Sequence, residues 1–211
     1  YRGTGWNAGM ITLFLVACGY AAGSISAGIL VARAMGLGDP REGGSGNPGA
    51  TNLLRLGGRK AAAITLFVDA LKGLIPVIFA KLLGLDDAAI AAVGLAAFIG
   101  HLYPVFFGFR GGKGIATGLG VMLAWSLPVG MSVLLSWAAV AAVSRISSLA
   151  ALVSFALAPV YLLLISQAPL LAIAAAVMAG LTAWRHRSNI QRIINGTESR
   201  IGKRAYPRFT G

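Results

Sequence analysis

Apolar positions in this chain run on for 20 residues or more at a stretch, and charged residues collect between the runs. A helix of about 20 apolar residues covers the roughly 30 Å hydrocarbon layer of a bilayer, so such runs count as membrane crossings. Residues 3–32 are uncharged and predict one crossing; residues 61–83, which carry Asp69 and Lys72, predict a second; residues 88–109 predict a third. Two longer runs follow. Residues 114–144 make 31 positions with a Ser126-Leu127-Pro128-Val129-Gly130 break, and residues 146–184 make 39 with Gln167 and Pro169 near the middle, which predicts a helical hairpin.

The charges decide whether residues 114–144 cross once or twice, because Lys and Arg concentrate on the cytoplasmic side of a membrane. One crossing gives six in all and puts the tail (Arg185, Arg187, Arg192, Arg200, Lys203, Arg204, Arg208) opposite the basic segment 33–60. A break at Pro128 gives seven. Fifteen of 18 basic residues then share one side, leaving Arg2 and Lys81 outside and Lys72 within a helix. The expected fold is an all-α integral membrane protein, a compact bundle of seven transmembrane helices, some short, with the N-terminus outside and the C-terminus cytoplasmic. Residues 1–9 read as an N-terminal extension, 10–198 as a single membrane-embedded domain and 199–211 as a basic tail. Small residues such as Gly19, Gly23, Gly94, Gly100, Gly118 and Gly120 let helix backbones approach closely.

Composition narrows the class further. In 211 residues, 57% are hydrophobic and 11% charged, and the mean hydropathy is +0.78, which excludes soluble globular and disordered chains. The single cysteine, Cys18, excludes an internal disulfide. A net charge of +12 beside apolar spans points to anionic lipids and anionic substrates, not nucleic acid. The six acids (Asp39, Glu42, Asp69, Asp86, Asp87, Glu198) are scattered and predict no metal site and no cofactor.

Three polar segments carry candidate chemistry. The first, REGGSGNPGATNLLRLGGRK at 41–60, reads as a glycine-rich stretch whose backbone amides cradle an anion, with Ser45, Gly46, Asn47, Thr51, Asn52 and Arg55 adding donors. The second, Arg110-Gly111-Gly112-Lys113-Gly114, opens an apolar helix, where unpaired N–H groups and the helix dipole favour phosphate. It lacks the spacing of a Walker A box, so ATP is not indicated. The third begins at Ala183 and carries His186 and Asn189 along one helix face, with Arg185 and Arg192 near it. Each has a plainer reading, as a surface connector, as orientation charges or as lipid-headgroup contacts. His101, among Tyr103, Phe106, Phe107 and Phe109, reads as an interfacial residue of an aromatic belt. Asp69 and Lys72, three apart, read as a self-satisfied structural pair, and Glu198 as the partner of a nearby Arg.

Taken together, GSISAGILVAR at 23–33, GSGNPGATNLLR at 44–55, DALKG at 69–73, GHLYPVFFGFRGGKGIAT at 100–117 and HRSNIQRIINGTE at 186–198 resemble the bacterial acyl-phosphate-dependent glycerol-3-phosphate acyltransferases. The resemblance implies transfer of a fatty acyl group from acyl phosphate to the 1-hydroxyl of glycerol 3-phosphate, giving lysophosphatidic acid and phosphate at the cytoplasmic face of the bacterial inner membrane. It also implies catalytic roles for Ser45, Arg55, His186 and Asn189, glycerol-3-phosphate binding by the glycine loop, and a structural role for Glu198. The chemistry of the residues fits: Gly111, Gly112, Lys113, Gly114 and Arg192 suit phosphates, and an acyl phosphate already has an activated carbonyl and a good leaving group. The His-x4-Asp box of acyl-CoA-dependent relatives is missing at both His101 and His186. Two candidates remain for the proton acceptor, His186 and the donor's own phosphate, and the expectation is the phosphate. The rival class is a transporter or exchanger of a phosphorylated anion, although no repeated half is visible.

Overall fold

In hydrocarbon a chain satisfies its backbone N–H and C=O groups only within itself, so uncharged runs of this length fold as helices. The computed structural model describes residues 5–202 and is helical along most of that length. α1 (Gly5–Gly23) and α2 (Ala27–Ala34) come from the first run, α3 (Ala50–Leu82) and α4 (Asp87–Leu102) from the next two. α5 (Ile115–Trp125) and α6 (Leu127–Ser144) share the 114–144 run, α7 (Ser147–Ser166) and α8 (Pro169–Arg185) form the hairpin, and α9 (Arg187–Ile194) follows. Among the described residues, five segments, Ala8–Ala34, Ala50–Leu82, Asp87–Phe107, Leu127–Ser144 and Ser147–Ser166, are long and apolar enough to cross a membrane, while α5 and α8 are shorter.

Several boundaries differ from the sequence expectation. α1 starts at Gly5, inside the stretch read as an extension, whereas Arg2 and the tail cations Lys203, Arg204 and Arg208 lie outside the described residues. The first run is broken at Ser24–Ser26, because Gly23 and the two serines weaken the helix there. The 41–60 segment is a connector only up to Gly49; helix α3 begins at Ala50 and bends at Gly58, whose φ of 75° is outside the helical range. Thr51, Asn52 and Arg55 are therefore fixed on a helical turn. The break in the 114–144 run falls at Ser126, and Pro128 sits in the first turn of α6, where a missing N–H costs nothing.

Helix breaks leave carbonyls without partners, and two lysines of α3 serve them. Lys72 Nζ donates to Ile25 O at 2.5 Å, in the α1–α2 break. Lys81 Nζ donates to Ala124 O at 3.0 Å and Trp125 O at 3.2 Å, at the end of α5. An ammonium in this position offsets part of its own burial cost and that of the orphaned carbonyl together.

α3 packs on α5, α1 on α4, and α6 and α8 on α7. The contacts are close because glycine lines them: a Cβ at Gly120 would stand 2.0 Å from Ala70 O, and one at Gly23 would stand 2.0 Å from Ala97 O. Phe98, Leu102, Met122, Phe155, Leu162 and Met178 fill the space between the helices. This packing carries the ends of α3, α4, α5 and α8 to one polar end of the bundle.

Candidate active site

Gly44 (φ 61°) and Gly46 (φ 69°) take the left-handed conformation that lets residues 43–49 turn tightly, and the turn is pinned by a side chain from the helix that follows it. The buried Asn52 accepts from Ser45 N–H at 2.9 Å and donates to Pro40 O at 2.9 Å and Gly43 O at 3.0 Å. Asn52, expected to bind substrate, thus spends its amide on the loop. Arg41 pairs with Asp39 at 2.6 Å and donates to Phe107 O at 3.0 Å, tying the first segment to the second.

The second segment is held from both neighbouring helices. Gly112 N–H donates to His101 O at 3.1 Å, and the Arg185 guanidinium donates to Gly111 O at 2.8 Å and Gly112 O at 3.2 Å while lying 5.5 Å from the Tyr103 ring centroid. Gly114, with φ 82°, caps α5. His101 is not interfacial: it is 7% exposed, with Nδ1 3.0 Å from Thr117 Oγ1 and 3.5 Å from Asp69 Oδ1. Asp69 Oδ1 lies 2.8 Å from Lys72 Nζ. The pair expected to satisfy itself is one part of a larger buried cluster.

Lys113 donates to Asn189 Oδ1, Asn189 Nδ2 donates to Glu198 Oε1 at 2.6 Å, and Glu198 also accepts from Ser148 Oγ at 2.8 Å and Arg192 Nε at 2.7 Å. The expected Arg partner of Glu198 is therefore Arg192. Burial pushes the Lys113 ammonium down to about 8; Glu198 opposes this, and Arg192, Arg185 and Arg55 add to it. Burial works to raise the Glu198 carboxyl, but the hydrogen bonds from Asn189, Ser148 and Arg192 outweigh it and hold the group below its ordinary value. His186 Nδ1 donates to Thr182 O at 2.8 Å, which leaves Nε2 as an acceptor. Burial, with the charge of Lys113, pushes its imidazole down to about 4, so the ring is neutral at pH 7.

Two cavities meet here. The smaller, of about 240 Å³, is lined by all three polar segments: Ser45, Gly46 and Asn47; Gly111 and Lys113; Arg185, Arg187, Ser188 and Arg192. Among the described residues, four cations and no acid line it, which suits a phosphate dianion. The larger, of about 1580 Å³, shares Ser45, Asn47, Lys113 and Arg192 with the first and extends between α3, α5, α6 and α7 past Leu66, Phe67, Leu119, Val133 and Trp137. Thr51, Asn52, Arg55, Gly114, His186, Asn189 and Glu198 line the larger cavity, and Arg55 donates to Ser199 Oγ at 2.6 Å. Gly112, within the loop, packs against the His101 ring and lines neither cavity. Arg185, Arg187 and Ser188 escaped the sequence reading as site residues. The signal was the i, i+3, i+7 spacing of Arg185, Ser188 and Arg192, masked by the usual role of basic residues at helix ends.

The arrangement places a phosphate-sized basic pocket against a lipid-sized cavity. Residues 13–196 match the family described as Glycerol-3-phosphate acyltransferase. The chain belongs to that family. A glycerol-3-phosphate acyltransferase of Halorhodospira halophila is 56% identical over 193 residues, which is 92% of this chain and 98% of that one. One of Hydrogenovibrio crunogenus is 54% identical over 194 residues, 92% and 93% of the two chains. The crystal structure of PlsY, an integral membrane glycerol 3-phosphate acyltransferase, in its glycerol 3-phosphate form aligns with a TM-score of 0.86 at 42% identity, covering 90% of this chain and 96% of that one. The lysophosphatidic acid form aligns with a TM-score of 0.84 at 41% identity. This acyltransferase is thus an enzyme and a multi-pass membrane protein, and the carrier alternative is set aside.

Proposed function

We propose that this acyltransferase takes its acyl group from acyl phosphate and passes it to the 1-hydroxyl of glycerol 3-phosphate, releasing lysophosphatidic acid and inorganic phosphate. The observation that carries this reading is the sharing of Ser45, Asn47, Lys113 and Arg192 by the basic pocket and the lipid-sized cavity, so that a phosphate and an acyl chain meet at one set of side chains. Both substrates are phosphorylated, and one is a lipid. In the reaction the hydroxyl oxygen bonds to the acyl carbonyl carbon, the carbonyl–phosphate C–O bond breaks, and the hydroxyl proton leaves with the phosphate.

The leaving phosphate is the proton acceptor in this reading. A general base works best with a pKa near the operating pH, and His186 at about 4 is too weak. Its neutral Nε2 instead accepts a hydrogen bond from the neighbouring 2-hydroxyl of glycerol 3-phosphate and orients the molecule, leaving the 1-hydroxyl proton directed at the phosphate. Lys113, at about 8, carries its charge at neutral pH and offsets the negative charge that develops on the carbonyl and phosphate oxygens. Asn189, expected to be catalytic, has both ends of its amide engaged and acts by positioning Lys113. Ser45 aligns the hydroxyl, and Arg55, Arg185 and Arg192 hold phosphate oxygens or the backbone that does.

We also read the chain as seven membrane segments, with α1 and α2 counted together, the N-terminus outside, and the three polar segments at the cytoplasmic face of the inner membrane. α5, at 11 residues, reaches only about 16 Å and crosses incompletely beside the cavity. Purified enzyme in detergent, given radiolabelled glycerol 3-phosphate with acyl phosphate, acyl-CoA or acyl carrier protein in turn, tests the donor. The expected product is lysophosphatidic acid from acyl phosphate alone; product from acyl-CoA with none from acyl phosphate would contradict the reading.

A further inference from the structure

The buried cluster of Asp69, Lys72, His101 and Thr117 lies directly against the Gly111–Gly114 loop, and nothing in the proposed chemistry uses it. His101 meets that loop twice. Its carbonyl accepts the Gly112 N–H at 3.1 Å, and its ring lies so close to the same residue that a Cβ on Gly112 would stand 2.2 Å from Nε2. A Cβ on Gly111 would stand 2.1 Å from His101 O. The loop backbone therefore lies against His101 at both glycines, with no room for a side chain between them.

The ring itself is gripped from two helices. Thr117 Oγ1, fully buried on α5, is 3.0 Å from Nδ1, and Asp69 Oδ1, on α3, is 3.5 Å from it. Asp69 has no directed hydrogen bond at Oδ1, so its hold on Lys72 and on the ring is electrostatic. Lys72 is anchored in turn to Ile25 O. Two charges inside a membrane are costly when their only service is to neutralise each other. Here they fix a ring, and the ring fixes a loop.

We propose that His101 is a positioning residue for glycerol 3-phosphate or donor phosphate binding: held by Thr117 and the Asp69–Lys72 pair, it fixes Gly112 and so sets where Gly111 and Lys113 stand at the basic pocket. The proposal rests on the reading of that loop as a phosphate seat. Its signature is coupling between His101 and Gly112. His101→Asn keeps a polar atom near Thr117 and removes the Nε2 edge that faces Gly112.

The test is a double-mutant cycle on the full-length enzyme in detergent, reading KM for glycerol 3-phosphate, KM for acyl phosphate and kcat, with thermal unfolding alongside. With His101 present, Gly112→Ala is expected to raise one of the two KM values by about tenfold or more; in the His101→Asn background the same change is expected to cost less than about threefold. Equal penalties in both backgrounds would overturn the role of His101 while leaving the phosphate seat standing. No KM change from Gly112→Ala with His101 present would overturn the seat itself, and the role of His101 with it. Should the glycine variant fail to fold, the shape-conserving Thr117→Val decides: the expected result is the same KM raised by about threefold to tenfold with kcat within about twofold. Unchanged KM values in a folded Thr117→Val enzyme would overturn the proposal.

Discussion

Residues 43–49 and residues 110–114 both bring glycine backbone to the same small cavity, but different parts of the molecule hold them there. The first turn is clamped by Asn52, three residues into the helix it leads to, and its Ser45 and Gly46 are exposed. The second is gripped from two other helices, by His101 at the end of α4 and, across a long stretch of chain, by Arg185 of α8, and its Gly111, Gly112 and Gly114 are buried. A clamp within one local segment sets the shape of a turn. A grip from separate helices sets its place in the bundle as well. The second loop is the preorganised partner, and the first has more freedom to adapt to substrate. Preorganised donors need no rearrangement as charge develops, which is where their catalytic value lies.

The sharpest break in this comparison is at Lys113. Lys113→Ala removes the lysine that lines the basic pocket and is expected to lower kcat/KM about 10³-fold in steady-state assays. Next is the grip: Arg185→Ala frees two loop carbonyls and is expected to cost about 10²-fold, against about tenfold for Asn52→Ala, measured side by side with glycerol 3-phosphate. Equal losses would mean that both loops are held alike. A smaller effect is expected at His186. Because its ring is already neutral above about pH 4, His186→Gln should slow turnover by no more than about tenfold and leave the shape of the pH–rate profile unchanged. Disappearance of an inflection between pH 6 and 7 would make the histidine the base.

An alkaline limb is expected from Lys113. Its lowered pKa means that the ammonium loses its proton as pH rises through about 8, so kcat/KM for acyl phosphate should fall there. Lys113→Arg keeps its charge and should remove that limb even if the overall rate is reduced. The smallest effect is expected at Ser199→Ala, which removes one neutral acceptor from Arg55 and should change kcat/KM by less than about threefold.

The two regions also differ in how far the sequence discloses them. The membrane body is legible because uncharged length and Pro or Gln breaks map directly onto helix spans, as at Ser126 and Gln167. The first break, at Ser24–Ser26, is harder to read, since glycine and serine also occur within unbroken spans, and the Lys72 that serves its free carbonyl lies 47 residues away. The three polar segments are legible as phosphate chemistry through their glycines and cations. The placement of His101 is not: flanking aromatics suggest an interface, while Asp69 and Thr117, which draw it inward, sit on other helices. Asn52 reads like a ligand-binding amide because the sequence does not reveal that Pro40 and Gly43 carbonyls need it.

One measurement bears on the central claim, that the three segments form a single substrate site open to the cytoplasm. In a Cys18→Ala background, Asn47→Cys and Ser188→Cys place one thiol each in the first and third segments, both at the basic pocket. A membrane-impermeant thiol reagent should label both in inside-out vesicles, neither in right-side-out vesicles, and glycerol 3-phosphate should protect both. Labelling of the two thiols from opposite sides, or labelling of both without any protection by substrate, would contradict the account.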